Sequence, residues 1–200
     1  MRYSRRLFLA LSSVGIIKSI RAKDLCNFTP GQPLGPFFKK ENLVQNSDMT
    51  NKGLAKGQIL YIYGQITDKN CNPYPNSSLI IWQANAFGKY NHHNDLSNNA
   101  SDPNFNGYTK IVTTKKGFYN FTTIIPGAYK ISNTIKRPPH IHVLVKTKDN
   151  KRVITQLYFK NHPLNQDDFL YNSHKKNSRL QLNLKHASGG LSKAKFDFII

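Results

Sequence analysis

Residues 58–67 alternate with a period of two. Ile59, Tyr61, Tyr63 and Gln65 fall on one face of an extended chain, and Leu60, Ile62 and Ile66 fall on the other. A helix cannot sort these residues; a strand packed on one face can. Further runs of β-formers follow at 78–83, 109–114, 118–124, 140–147, 153–159, 180–184 and 194–200. Turn sequences separate them: Asp68-Lys69-Asn70-Cys71-Asn72-Pro73, Lys115-Lys116-Gly117, Pro126-Gly127 and Lys148-Asp149-Asn150. This spacing predicts an all-β fold, a β-sandwich of mainly antiparallel strands with long functional loops. Residues 164–176 are the one stretch with a short helical pattern, and 85–106 reads as a long polar loop, a length usually tied to function. At 200 residues, with no internal repeat and no linker, one core is expected.

The first residues do not belong to that core. Arg2, Arg5 and Arg6 precede an apolar run over 7–17, which is followed by Lys18-Ser19. This is the organisation of a secretory signal, too short to span a bilayer. Ser4-Arg5-Arg6 followed by Phe8-Leu9 resembles a twin-arginine signal. The expectation is a leader over 1–22 and an exported domain over 23–200, periplasmic or secreted, with no stable membrane insertion after export.

Net charge is +19, but the lysines are scattered and no nucleic-acid motif accompanies them. The charge therefore implies a basic solvated surface able to attract small anions rather than a nucleic-acid partner. In an exported chain the even pair Cys26 and Cys71 suggests a disulfide from the start of the mature domain to the turn after the first long strand. Two separate buried thiols are the other reading.

Arg137-Pro138-Pro139-His140-Ile141-His142-Val143 carries the strongest chemical signal. Positions i and i+2 of a strand share a face, so His140 and His142 can converge on one metal ion. Proline before them and Val143-Leu144-Val145 after them place the start of the strand. Alone, a His-x-His pair also occurs in surface strands and in unrelated copper or zinc sites.

Five further stretches complete a set: residues 81–92 around Trp82 and Tyr90, Ile125-Pro126-Gly127-Ala128-Tyr129, Thr155-Gln156-Leu157-Tyr158-Phe159, Ser101-Asp102-Pro103-Asn104-Phe105 and Gly117-Phe118-Tyr119-Asn120-Phe121. In this order and spacing, over roughly residues 26–160, they resemble the intradiol ring-cleavage dioxygenases, the protocatechuate 3,4-dioxygenase-like family. The resemblance implies a mononuclear non-haem Fe(III) held by Tyr90, Tyr129, His140 and His142, with Tyr129 and His142 axial. It implies cleavage of a catechol by O2 to a cis,cis-muconate-type diacid, with Tyr129 leaving the iron to take up a substrate proton. Arg137 would stabilise negative charge on the ring, Gln156 would act beside it, and Trp82 and Lys130 would line the substrate pocket. Phenolates suit this role because hard anionic donors favour ferric over ferrous iron, unlike the two-His, one-carboxylate set of Fe(II) oxygenases.

Two departures bear on the substrate. Lys130-Ile131 follows Tyr129 where protocatechuate enzymes tend to carry Pro and an aromatic, and the span from Tyr129 to Arg137 is shorter. The early Cys26 and Pro/Gly-rich 29–38 look like exported single-chain relatives, and the resemblance is compatible with a homo-oligomer. Taken singly, Tyr90 is an ordinary loop tyrosine, Arg137 a surface charge and Trp82 a core residue. The competing expectation is a non-catalytic exported β-sandwich that binds a partner. His92 and His93 read as loop residues near the mouth.

Overall fold

The structure is a computed structural model that describes residues 26–39, 43–132, 134–173 and 175–200. The leader expected over 1–22 lies outside the described residues. Among the described residues twelve strands form: β1 (Ile59–Thr67), β2 (Ser78–Trp82), β3 (Tyr108–Val112), β4 (Phe118–Ile124), β5 (Tyr129–Lys130), β6 (Lys136–Arg137), β7 (His140–Lys146), β8 (Arg152–Phe159), β9 (Gln181–Leu182), β10 (Lys185–His186), β11 (Ser192–Lys195) and β12 (Phe198–Ile199).

Ten of them make two five-stranded sheets, and β5 and β6 pair as a separate ribbon. In one, β1 lies between antiparallel β4 and the carboxy-terminal strands β11 and β12, which pair with it in parallel. In the other the order is β3-β2-β7-β8-β9, antiparallel except for β8 with β9. The main core sits between the sheets. Leu60, Ile62 and Ile66 of β1 meet Leu79 and Ile81 of β2, Ile141, Val143 and Val145 of β7, and Leu157 of β8, all fully buried. The alternation in β1 thus does what its sequence requires: even-numbered residues face the core, and Tyr63 on the other face is exposed.

That same alternation in β7 and β2 creates a second apolar layer. If Ile141 and Val143 point into the sandwich, His140 and His142 must point out of it. Trp82 and Ile80 share the outer face with them. The outer face is not solvated, because Leu34, Phe37 and Phe38 of the opening segment pack against Trp82, Tyr90, Tyr108 and Tyr129 there. The opening segment is tied down by backbone bonds from Thr29 to Ile199 and from Gln32 to Ile154. A bridge from Cys26 to Cys71, with Cα atoms 5.8 Å apart, anchors its beginning beside the turn after β1.

Two local features differ from the sequence expectation. The helical pattern over 164–176 is cut short: α1 covers only Phe169–Asn172, between 3-10 turns at Pro163–Asn165 and Lys175–Leu180. Pro163 can open a turn but not sit inside a helix, and Asp168 caps α1 by accepting from the Tyr171 amide. The span between Tyr129 and Arg137, unassigned by periodicity, is a two-residue antiparallel ribbon of β5 and β6, too short for any period to register.

Candidate metal centre

Each candidate residue reaches the outer face by a different backbone device. Pro138-Pro139 end just before β7, and the Pro138 carbonyl accepts from His140 Nδ1 at 2.7 Å. That bond places the His140 proton on Nδ1 and leaves a lone pair on Nε2. His142, two residues on, stands opposite Trp82 on one side and Gln156 on the other. Its ring lies flat on Trp82, centroids 4.8 Å apart and planes 10° from parallel. Gly35, at φ +76°, lets the opening segment cross it closely: a Cβ there would lie 3.2 Å from His142 Cε1.

Tyr90 comes from the long loop after β2. Buried Asn85 organises its first turn, its Oδ1 accepting from the Phe87 and Lys89 amides at 2.9 and 3.0 Å. Asp95 then accepts from the Tyr90 amide at 2.6 Å and pairs with Lys89 at 3.3 Å. Phe37 stacks on the Tyr90 ring at 4.2 Å. Tyr129 opens β5 opposite Arg137 of β6, so the phenol and the guanidinium share one face of the ribbon.

The polar atoms converge. Nε2 of His140 is 3.2 Å from Nε2 of His142 and 3.5 Å from the Tyr90 hydroxyl. The rings of Tyr90 and Tyr129 meet edge to face at 5.4 Å. All are buried, and Tyr129 is the most open at 8%. Burial brings His140 down to about 3, assisted by the Arg137 charge. Burial, then His140 and Arg137, pushes His142 well below its ordinary value. Both rings are therefore neutral. Burial pushes the Tyr90 phenol well up, with Tyr129 adding to it. It raises Tyr129 as well, but there the Arg137 guanidinium works in the other direction.

This donor set fits a hard cation. Two neutral imidazoles face one another through their Nε2 atoms, and His142 Nδ1 is buried without a hydrogen-bond partner. Two phenols stand within the same cluster, with protons that a trivalent ion would displace. Among the described residues no group of three or more His, Cys, Asp or Glu could hold a metal ion, so a centre here depends on the phenolates.

Arg137 completes the site. Its Nε donates to Asp168 Oδ2 at 2.5 Å, and Nη2 donates to Asp168 Oδ1, Gln156 Oε1 and the Tyr158 hydroxyl at 3.3, 2.9 and 3.2 Å. Gln156, fully buried, also donates to the Pro33 carbonyl at 3.1 Å. Sequence reasoning passed over Asp168 and Tyr158. The first has a usable signal, an acid directly before Phe169-Leu170-Tyr171 in cap position. The second lies two residues from Gln156 on the same strand and pairs with His140 in register.

Two cavities flank the cluster. One of about 340 Å³ is lined by Pro36, Phe37, Leu96, Tyr129, Lys130 and Ile131, among others. The other, about 460 Å³, borders Tyr90, His92, His93 and Phe105. Both fall in the size range of small-molecule pockets. Lys130 is exposed and pairs with Lys136 in the ribbon, in the position following the Tyr129–Arg137 pair.

Comparison with known proteins bears on the family and the fold. A family model described as Dioxygenase matches residues 34–200. The protocatechuate 3,4-dioxygenase beta chain of Burkholderia cepacia is 36% identical over 136 residues, covering 66% of this chain and 56% of that protein. Catechol 1,2-dioxygenase of Acinetobacter baylyi is 29% identical over 160 residues, covering 72% and 50%. The chain thus spans about half the length of these relatives. Among solved structures, the dioxygenase domain of a dioxygenase carbohydrate-binding protein fusion from Streptomyces sp. SirexAA-E superimposes with a TM-score of 0.71 at 27% identity, covering 87% of this chain and 98% of that one.

Proposed function

Because the chain belongs to the intradiol ring-cleavage dioxygenase family, we propose that it uses O2 to cleave a catechol-type aromatic between its two hydroxyl-bearing carbons. Both oxygen atoms enter the product, a cis,cis-muconate-type diacid. The observation that carries this reading is the convergence of Tyr90, Tyr129, His140 and His142 on one buried point with Arg137 and Gln156 beside it.

Tyr90, Tyr129, His140 and His142 would hold a non-haem Fe(III), whose Lewis acidity draws electron density from a bound catecholate and opens the ring to O2. The chain's own residues supply the rest. Tyr129 is the most open of the four and borders the 340 Å³ cavity, so its phenolate is the group best placed to accept a proton from an incoming catechol. Arg137 faces the same side and donates to three side chains, a preorganised positive charge for the ring as it becomes anionic. Trp82 covers the flat side of His142 and excludes water from it. Export belongs to the same proposal, supported by the basic leader and by the Cys26–Cys71 bridge.

An O2-uptake screen over catechol, protocatechuate, hydroxyquinol and larger catechols, with product identification, tests the reading. Stoichiometric O2 consumption with a ring opened between the hydroxyls is expected. An extradiol product, or no uptake by iron-loaded protein with any of them, would overturn it.

A further inference from the structure

Arg137 is a buried cation whose aim is set from one side. Its Nε edge is taken by Asp168, which is itself 1% exposed. Burial pushes the guanidinium down, but the hydrogen bond and charge of Asp168, together with Tyr129 and Tyr158, hold it above its ordinary value. Asp168 is fixed in turn. Its Oδ1 accepts from the Tyr171 amide at 2.7 Å as the cap of α1, and its own amide donates to the Asn165 carbonyl. The turn that carries it is anchored by Asn177, which donates to the Leu170 and Tyr171 carbonyls, and by Tyr171 packing edge-on against Tyr158. Phe169, the next residue, lies over the guanidinium at 5.7 Å.

From this geometry we infer that Asp168 is a positioning residue: it holds the Arg137 guanidinium in the orientation that serves the ring-cleaving site. The inference rests on the proposed function for its kinetic consequence, but not for its structural one. Gln156 and Tyr158 reach only Nη2, so neither fixes the rotation of the fork. A carboxylate taking Nε and Nη2 together does, because a guanidinium is planar and its donors are rigidly spaced. Cap duty alone does not require an acid: asparagine caps a helix about as well.

That equivalence gives the test. In Asp168→Asn the amide oxygen keeps the Tyr171 contact, while the amide NH2 turns a donor towards Arg137. The full chain, loaded with iron, is compared as wild type, Asp168→Asn and Asp168→Glu by crystallography, thermal unfolding and steady-state kinetics. The asparagine variant is expected to show the guanidinium rotated off Gln156 and kcat lowered about a hundredfold, the cost of misplacing a catalytic group by roughly 1 Å. KM should stay within about threefold and Tm within about 3 °C. Asp168→Glu should recover part of kcat by restoring the charge. An unmoved guanidinium with kcat intact would overturn the inference. So would activity that falls only in step with Tm in both variants. If the wild type cleaves no catechol, the proposed function fails on its own, and the position of Arg137 in Asp168→Asn still decides the role of Asp168.

Discussion

Gly127 packs so tightly against Gly88 that a Cβ built on it would lie 2.5 Å from the Gly88 amide nitrogen. The contact joins the two loops that carry Tyr90 and Tyr129. It is reinforced by the Gly127 amide donating to the Asn85 carbonyl at 2.8 Å, and by Gly88 sitting at φ +78°, where a Cβ would meet the Ala128 carbonyl at 2.6 Å. Neither loop contributes its tyrosine by a strand period; each relies on this meeting of backbones.

Gly127→Ala should therefore separate the two phenols. Overpacking of this kind costs about 1–3 kcal/mol, so Tm should fall by several degrees. Iron content after dialysis against a chelator should fall further than the stability loss alone explains. Wild-type iron retention in a folded Gly127→Ala protein would show that the loop contact does not set the donor geometry.

The bridge between Cys26 and Cys71 spans 45 residues and pins the start of the segment that covers His142. Loop-closure entropy for that span corresponds to about 4 kcal/mol. Replacing both cysteines by serine should lower Tm by roughly 10 °C, and mild reduction of the wild type should match it. A Tm unchanged by reductant would mean that the opening segment holds without the bridge.

Acid should destabilise the metal-free protein earlier than its carboxylates do. His140 titrates at an ordinary value of 6.5 when unfolded and at about 3 when folded, and His142 is displaced in the same direction. Below pH 6.5 the unfolded chain binds protons that the folded chain refuses, so stability falls as pH drops from 6.5 towards 3. Above that window the pair contributes no pH dependence. Calorimetry of metal-free protein should show Tm already declining between about pH 6.5 and 5, above the range where ordinary carboxylates titrate. A flat Tm over that interval would contradict the neutral, buried state of the two rings.

Much of this was legible in the chain itself. The period-two run specifies β1 within a residue, because one of its faces is buried, and the runs of β-formers bounded by turns place β2, β7 and β8 within a residue or two. His140 and His142 share a face for the same reason. The ribbon of β5 and β6 was not legible, because two residues per strand carry no period. Asp168 was hidden because its partner is 31 residues away and its local role, a helix cap, is complete without it. The covering of the outer face by Phe37 and Phe38 was hidden too, since the segment that carries them is irregular and held by long-range bonds.

The proposed function requires two phenolates and two imidazoles to hold one ferric ion. The most direct measurement is the visible absorption spectrum of purified protein, taken with its iron content, for the wild type and for Tyr90→Phe and Tyr129→Phe. A burgundy protein with about one iron per chain is expected, its colour arising from tyrosinate-to-iron charge transfer and lost or shifted in each variant. A colourless protein replete with iron, or a spectrum indifferent to both tyrosines, would contradict it.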